Sequence, residues 1–274
     1  MRLFTTRAAA FFLPAMIVAM VAAGISVDRA SAETRSIIRE KSVSSDYLPG
    51  PGTPIGTIRN VYGKVFIMHE DMGMIYAAQE NLALYAGDTL TTKQNGRITF
   101  VMKDDSLMTL APNTTMVLTE AVFDPVAKRR TSLVNLIAGK ARFFVKKFAD
   151  FQHSTFNVRT KTSIAAVRGS EFIIEQVGDK TIITTMGQTV VEVTNTENPL
   201  MGSITVSSFQ QLIVELGKLP GNPISISEQE LRNILNDLGI PVEDETGDDG
   251  AGGAGAGQAG GSSFNDQPVS PSEP

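Results

Sequence analysis

No cysteine and no tryptophan occur in this chain of 274 residues, histidine appears twice, and aromatic residues make up 7% of it. Without cysteine there can be no disulfides, no thiolate metal ligands and no cysteine nucleophile. The two histidines, His69 and His153, lie far apart, which leaves little from which to assemble a zinc site or a catalytic triad. Positive charge is not in excess either: 24 Lys and Arg face 29 Asp and Glu, for a net charge of -5. The tail accounts for that excess, because Glu243, Asp244, Glu245, Asp248, Asp249, Asp266 and Glu273 have no Lys or Arg among them. Basic and acidic residues between positions 33 and 242 are equal in number. Such a balanced body gives no electrostatic reason to expect nucleic-acid binding.

Long apolar runs are missing everywhere except at the start. Arg2 and Arg7 precede an apolar stretch from Ala8 to Gly24, and Ala30-Ser31-Ala32 has the small-x-small form of an export cleavage site. Residues 1–32 therefore read as a Sec-type signal peptide, with a mature chain that begins near Glu33 and resides in the periplasm or at the cell surface. The alternative is an uncleaved anchor, but the run falls just short of the roughly 20 residues that cross a bilayer. No later stretch is long enough, so no transmembrane segment is expected in the mature chain.

Residues 33–54 are polar and end in Leu48-Pro49-Gly50-Pro51-Gly52-Thr53-Pro54, a linker in which proline removes amide donors. From residue 55 to about 220 the pattern changes to β-branched runs of five to seven residues separated by Gly, Asp, Asn and Pro, without helical spacing. This predicts an all-β domain. Three units share the outline strand, Gly plus polar residue, strand: Val61 to Val65, Ile137 to Ala141 and Thr185 to Thr189. Each reads as a hairpin, since Gly supplies positive φ at a reversal. Residues 221–242 contain one helix, with a capping box at Ser227 and Glu230 and an apolar face of Leu231, Ile234, Leu235 and Leu238 expected to dock on the β domain. Residues 243–274, rich in Gly, Ala and acids, cannot bury enough surface to order themselves and read as a disordered tail.

Enzyme signatures fail in turn. Gly255-Ala256-Gly257-Gln258-Ala259-Gly260 matches a dinucleotide fingerprint in letters only, with no strand before it or helix after it. The Gly-Lys pairs at 63, 139 and 217 lack the Ser or Thr of a phosphate loop, and no Gly-x-Ser-x-Gly elbow occurs. His69-Glu70-Asp71 beside Met68, Met72 and Met74 has the softness a copper(I) site needs, but a hairpin loop with gap-filling methionines accounts for it. The expected catalytic residues, metals and cofactors are therefore none.

The ordered series of motifs resembles the FecR domain family. It comprises Gly56-Thr57-Ile58 with Gly63-Lys64-Val65; Gly87-Asp88-Thr89-Leu90-Thr91-Thr92; Gly96-Arg97-Ile98-Thr99-Phe100; Asp104-Asp105-Ser106 with Leu110; Gly139-Lys140-Ala141; and Phe156-Asn157-Val158-Arg159-Thr160 leading to Ala166-Val167-Arg168-Gly169-Ser170-Glu171-Phe172. Asp105 stands where the family often has Gly, and Lys161 where a Pro commonly follows the Thr. The resemblance implies a twisted β-roll, solenoid-like with stacked hairpins, and a periplasmic location. The family's name-giving members pass a ferric-siderophore signal across the inner membrane through a cytoplasmic anti-sigma segment and a membrane helix. Here an export signal occupies that place, so the expected role is a stand-alone sensory or binding module that contacts an envelope protein or glycan. A structural or adhesin-like surface protein, or a hydrolase of envelope polymers, are the alternatives.

Within these motifs, Gly87-Asp88 reads as a tight turn whose carboxylate accepts backbone N–H bonds. Arg168, between an apolar run and a strand, is expected to be enclosed and to pair with Asp88, Asp104 or Asp105, pinning two β layers, with Gly139 and Gly169 at turns. The rival reading of Arg168 is a contact to an anionic ligand. Lys128-Arg129-Arg130 and Lys146-Lys147 read as a solvated surface or, functionally, as a contact to anionic envelope polymers.

Overall fold

A computed structural model describes residues 43–239 apart from 45 and 71. The leader over 1–32, the first part of the linker to residue 42 and the tail over 243–274 lie outside the described residues.

The chain opens with β1 (Val43–Ser44) and β2 (Gly56–Tyr62), then forms β3 (Val65–Met68), β4 (Ile75–Ala77) and β5 (Ala83–Leu84). Next come β6 (Thr89–Thr92), β7 (Arg97–Met102), β8 (Leu107–Leu110) and β9 (Thr115–Asp124). The longest strand, β10 (Arg129–Val145), is followed by β11 (His153–Arg159), β12 (Ser163–Val167), β13 (Ser170–Val177) and β14 (Lys180–Met186). The β region closes with β15 (Val191–Asn195), β16 (Ser203–Val206), β17 (Gln210–Glu215) and β18 (Ile224–Ser225), before helix α1 (Glu228–Asp237).

These strands divide into two layers. One runs β1-β4-β3-β6-β9-β10-β11-β12-β15-β16, and the other β5-β2-β7-β8-β10-β13-β14-β17-β18. β10 belongs to both. Its first half pairs with β9 and, in parallel, with β11; from Gly139 onward it pairs with β8 and β13. The sheet is therefore open and folded over on itself.

Alternation of apolar and polar residues decides which side of each strand is covered. In β7, Ile98, Phe100 and Met102 are buried, while Arg97, Thr99 and Val101 are partly exposed. In β10 the buried residues before the crossing are even-numbered, from Arg130 to Leu136, and after it odd-numbered, Ala141, Phe143 and Val145. A strand that passes from one layer to the facing layer has to change parity in this way if it is to keep feeding the same core. One hydrophobic cluster collects side chains from both layers. Phe143 stacks on Phe172 of its own layer at 5.0 Å and meets Phe156 of the other edge-on at 6.5 Å. Truncating such a ring to Ala costs about 3–5 kcal/mol.

The three Gly-polar units are not hairpins. β2 and β3 lie in different layers, as do β14 and β15, and Gly139 interrupts no strand at all. Glycine at these places turns the chain from one layer into the other, a bend that the local pattern of strand, Gly, strand does not separate from a reversal. Hairpins do stack, at other reversals: β3–β4, β7–β8, β9–β10, β11–β12, β13–β14, β15–β16 and β17–β18 are each antiparallel pairs.

α1 begins as its capping box requires: Ser227 Oγ accepts from the Glu230 amide at 3.2 Å, and Glu230 Oε2 accepts from the Ser227 amide at 2.8 Å. Its Leu231, with Leu238 just beyond its end, packs on Ala111, Ile173 and Met186. Ile173 alternates with the core-facing Phe172 and Ile174, so the helix covers the outer face of its layer.

The crossing of β10 is tight. A Cβ on Gly139, whose φ is +89°, would lie 2.5 Å from Thr114 Cα and 2.7 Å from the Asn113 carbonyl oxygen. At Gly187, with φ +54°, nothing lies within 4 Å. Gly139→Ala should therefore cost about 2–4 kcal/mol, strain and steric conflict together, and Gly187→Ala about 1 kcal/mol from strain alone. Urea unfolding midpoints of the two variants compare them directly, and equal losses would show that the crossing is not where the chain is constrained.

Candidate functional site

Two buried polar centres and one surface cleft stand out from this frame. The first is built on the loop after β3 and the turn before β6. Asp88 Oδ2 accepts from the Tyr85 amide at 2.8 Å, closing the Gly87-Asp88 turn, and Oδ1 lies 2.6 Å from His69 Nδ1. His69 Nε2 is 3.0 Å from the Leu48 carbonyl, which can only accept, so Nε2 carries a hydrogen. Tyr47, Tyr76 and Tyr85 surround the imidazole with ring centroids 5.3–5.7 Å from its own.

Sequence spacing gave Asp88 no histidine neighbour, because nineteen residues separate it from His69. The β3–β6 pairing, Met68 opposite Thr89, brings them together. Both imidazole nitrogens are thereby engaged, which leaves neither for an ion beside Met72 and Met74. What the pair does is fasten the Tyr47–Gly50 segment onto the sheet. Tyr47 helps by donating its hydroxyl to the Ala83 carbonyl at 2.5 Å, and burial beside Asp88 pushes its phenol well above the ordinary range.

The second centre overturns the expectation for Arg168. That residue is exposed, and the buried arginine is Arg130, at 0% exposure. Arg130 Nη1 donates to Asp104 Oδ2 at 3.2 Å and to the Lys146 carbonyl at 2.8 Å. Its guanidinium lies over Phe148 at 5.1 Å and Phe156 at 5.7 Å. Nε and Nη2 have no hydrogen-bond acceptor. Desolvation lowers the guanidinium's affinity for its proton, and the Asp104 carboxylate opposes this. Asp104 Oδ1 meanwhile accepts from the Ser106 amide at 3.0 Å, and Asp105 takes the left-handed φ of +59° that the turn demands.

Arg130 must therefore be withdrawn from the surface group. Three consecutive basic residues, Lys128-Arg129-Arg130, read as solvated, but alternation turns the third one inward. Arg168 fails to reach its supposed partners because each is already taken: Asp88 by His69, Asp104 by Arg130 and Asp105 by Lys146 at 2.6 Å. The remaining surface cations differ among themselves. Lys128 pairs with Asp150 at 3.3 Å and Lys146 with Asp105, whereas Arg129, Lys147 and Arg168 have no carboxylate within ion-pair distance among the described residues. Lys147 and Arg168 line one cleft with Phe148, Phe151, His153 and Ser154.

Buried threonines are a further set that sequence reasoning missed. Thr114 Oγ1 accepts from the Lys140 amide at 3.0 Å and donates to its carbonyl at 3.1 Å, tying the backbone at the β10 crossing. Thr160, Thr162 and Thr181 hydroxyls join at 2.6–2.8 Å, and Thr162 donates to the Val214 carbonyl at 3.0 Å. Thr92 and Thr160 sit inside quoted motifs, so the signal was present but read as strand propensity. Among the described residues no group of three or more His, Asp or Glu is placed to hold a metal, and no helix is long and apolar enough to cross a membrane.

An open two-layer β fold of stacked hairpins, crossed by one shared strand, is the class these observations define. Residues 88–195, from the Asp88 turn through β15, match the family model described as FecR protein. No curated protein matches the chain. Among solved structures, two crystal structures of a candidate anti-sigma factor from Parabacteroides distasonis are similar, each at 19% identity, a TM-score of 0.42 and 54% coverage of this chain. The matched region spans 63% and 64% of those chains, less than two thirds of their length.

Asp104→Ala leaves a cation buried without its partner and should cost about 3–5 kcal/mol. Arg168→Leu, at an exposed position, should stay within about 0.5 kcal/mol; chemical denaturation measures both, and a large loss in the Arg168 variant would restore the layer-pinning role to that residue. Burial raises the Asp88 carboxyl above its ordinary value, with the hydrogen bonds from His69 and the Tyr85 amide opposing. The folded protein thus holds that proton more firmly than the unfolded chain does. This contribution to stability is complete below about pH 4, the unfolded carboxyl value, and is lost as pH rises through the higher folded value. Asp88→Asn removes it, so the stability difference between wild type and variant should shrink from pH 4 upward; a difference that grows with pH would contradict the sign.

Proposed function

We propose that this protein is a non-enzymatic sensory or binding module of the bacterial cell envelope, acting from the periplasm or the cell surface on a protein or glycan partner. The observation that carries this reading is the FecR-type match over residues 88–195, on strands that form a layered scaffold. The export signal read in residues 1–32 supports the location. The chemistry of the site supports binding over turnover. His69 and Asp88 are enclosed with their hydrogen-bonding capacity spent on one another and on the backbone, and Arg130 and Asp104 likewise serve packing. What the described residues offer to solvent is sheet surface and a cleft whose Lys147 and Arg168 have no carboxylate partner among them.

The test is fractionation of cells that express the full chain, followed by capture of envelope components on the purified protein. The expected result is a periplasmic or surface product that starts near Glu33 and retains one defined envelope protein or glycan through a salt wash, released by an excess of that same component. A product held in the cytosol with residues 1–32 attached, or a scaffold that retains nothing, would contradict the proposal.

A further inference from the structure

β9 has a strand on both sides only along its first part. Residues 115–117 lie between β6 and β10, and Leu118 still bonds Gly87 at 2.7 Å and Asp88 at 2.9 Å. Past that point β6 has ended, and a bulge at Thr119 shifts the register against β10. Residues 120–124 then continue as a regular strand opposite residues 133–129 of β10. Their other side has no strand beside it among the described residues. Backbone groups alternate in direction along an antiparallel pair, so this arm of five residues presents N–H and C=O groups on its free side. Five residues make an ordinary strand.

This arm borders a groove. Ala121, Val122 and Phe123 form its strand side, and Pro54, Ile55 and Met102 supply other walls. Its volume of about 230 Å³ lies below the roughly 300–1,000 Å³ of small-molecule pockets, and suits a side chain of an added strand. Bulges, prolines and charges ordinarily guard a strand edge. Here the Thr119 bulge and Pro125 flank the arm, but residues 121–123 between them carry neither charge nor proline, and Val122 is 37% exposed. Lys103 also lines the groove, exposed and with no carboxylate at ion-pair distance among the described residues, while its neighbour Asp104 is taken by Arg130. A free edge beside a groove accepts an extended peptide, whose main chain supplies affinity and whose alternate side chains supply specificity. A glycan lacks the alternating N–H and C=O groups that match such an edge. A second copy in a two-fold contact would bring its own groove walls against the first, so a lone extended segment is the better fit.

We propose that the free edge of β9 docks an extended peptide segment of an envelope protein, added as a strand along residues 120–124 with an apolar side chain in the groove and an acidic residue beside Lys103. The assignment rests on the envelope-binding reading above and narrows its partner to a protein.

A displayed library of random linear nonapeptides, selected on the purified protein, supplies the probe. The selected peptides are expected to alternate apolar and polar residues, to include an acid, and to slow hydrogen exchange at free-side amides within residues 120–124. Methylating the peptide's backbone nitrogens one at a time should weaken binding about tenfold at one parity and about threefold or less at the other, the signature of main-chain pairing. Val122→Asp, which puts a guarding charge on the edge, and Lys103→Glu should each weaken binding about tenfold. Lys64→Glu, outside the groove, should leave it unchanged, and thermal melts check that the variants remain folded. Failure to select any peptide, peptides that leave residues 120–124 unprotected, equal effects at both parities, or binding unmoved by both groove variants would each overturn the proposal. So would a dimer in sedimentation velocity that Val122→Asp disperses, since a second copy would then occupy the edge. If envelope capture persists undiminished in the Val122→Asp protein, the edge assignment fails while the envelope reading stands. If the peptides bind as described and fractionation places the protein in the cytosol, the docking edge stands and the envelope reading fails.

Discussion

β10 has to serve two layers at once, and the rest of the molecule is arranged around that demand. Seventeen residues of one strand carry four inward side chains into the first layer and three into the second, and the inward set changes from even to odd positions between Leu136 and Ala141. A slip of one residue on either side of Gly139 would turn a whole row of core residues toward solvent. The close approach of Thr114 and Asn113 to Gly139 fixes the place of the change. Both faces of the core then meet across Phe143 and Phe156.

A strand that leaves its layer strands backbone groups at the corner, and this chain answers with hydroxyls. Thr114 bonds both the amide and the carbonyl of Lys140, and Thr92 donates to the Ala111 carbonyl at 2.6 Å and accepts from the Thr114 amide at 2.8 Å; within one layer, Thr160 likewise accepts from the Ser163 amide at 3.0 Å at the β11–β12 hairpin. Short hydroxyl side chains suit the task because they reach neighbouring backbone without demanding much volume. The two buried ionic pairs serve the rims: His69 with Asp88 fastens the segment before β2, and Arg130 with Asp104 fastens the Phe148 loop.

Strand-length runs, turn residues and the capping box of α1 made the all-β class and the docked helix readable from local pattern alone, since each depends on neighbours within a few residues. Layer membership was not readable in the same way. Gly63, Gly139 and Gly187 look like hairpin reversals because a positive φ bends the chain in either case, and only the pairing partners distinguish a corner from a reversal. The motif acids were correctly placed in turns, as the left-handed Asp105 and the capped Asp88 show. Their partners were misassigned for a related reason. Sequence shows which side chains are charged, whereas burial depends on strand parity: Arg130 points inward and Arg168 outward, although the second sits beside the more apolar run. His69 and Asp88 meet only through the β3–β6 pairing, a contact with no local signal.

Pairing at the rims and parity at the centre leave Lys147 and Arg168 without a carboxylate partner among the described residues. The account depends most on the change of partner along β10, which nuclear Overhauser contacts between backbone Cα protons and amides report directly. Residues 130–136 should show contacts to β9 and β11, and residues 141–145 contacts to β8 and β13, with the switch at Gly139. A single set of partners along the whole strand would contradict it.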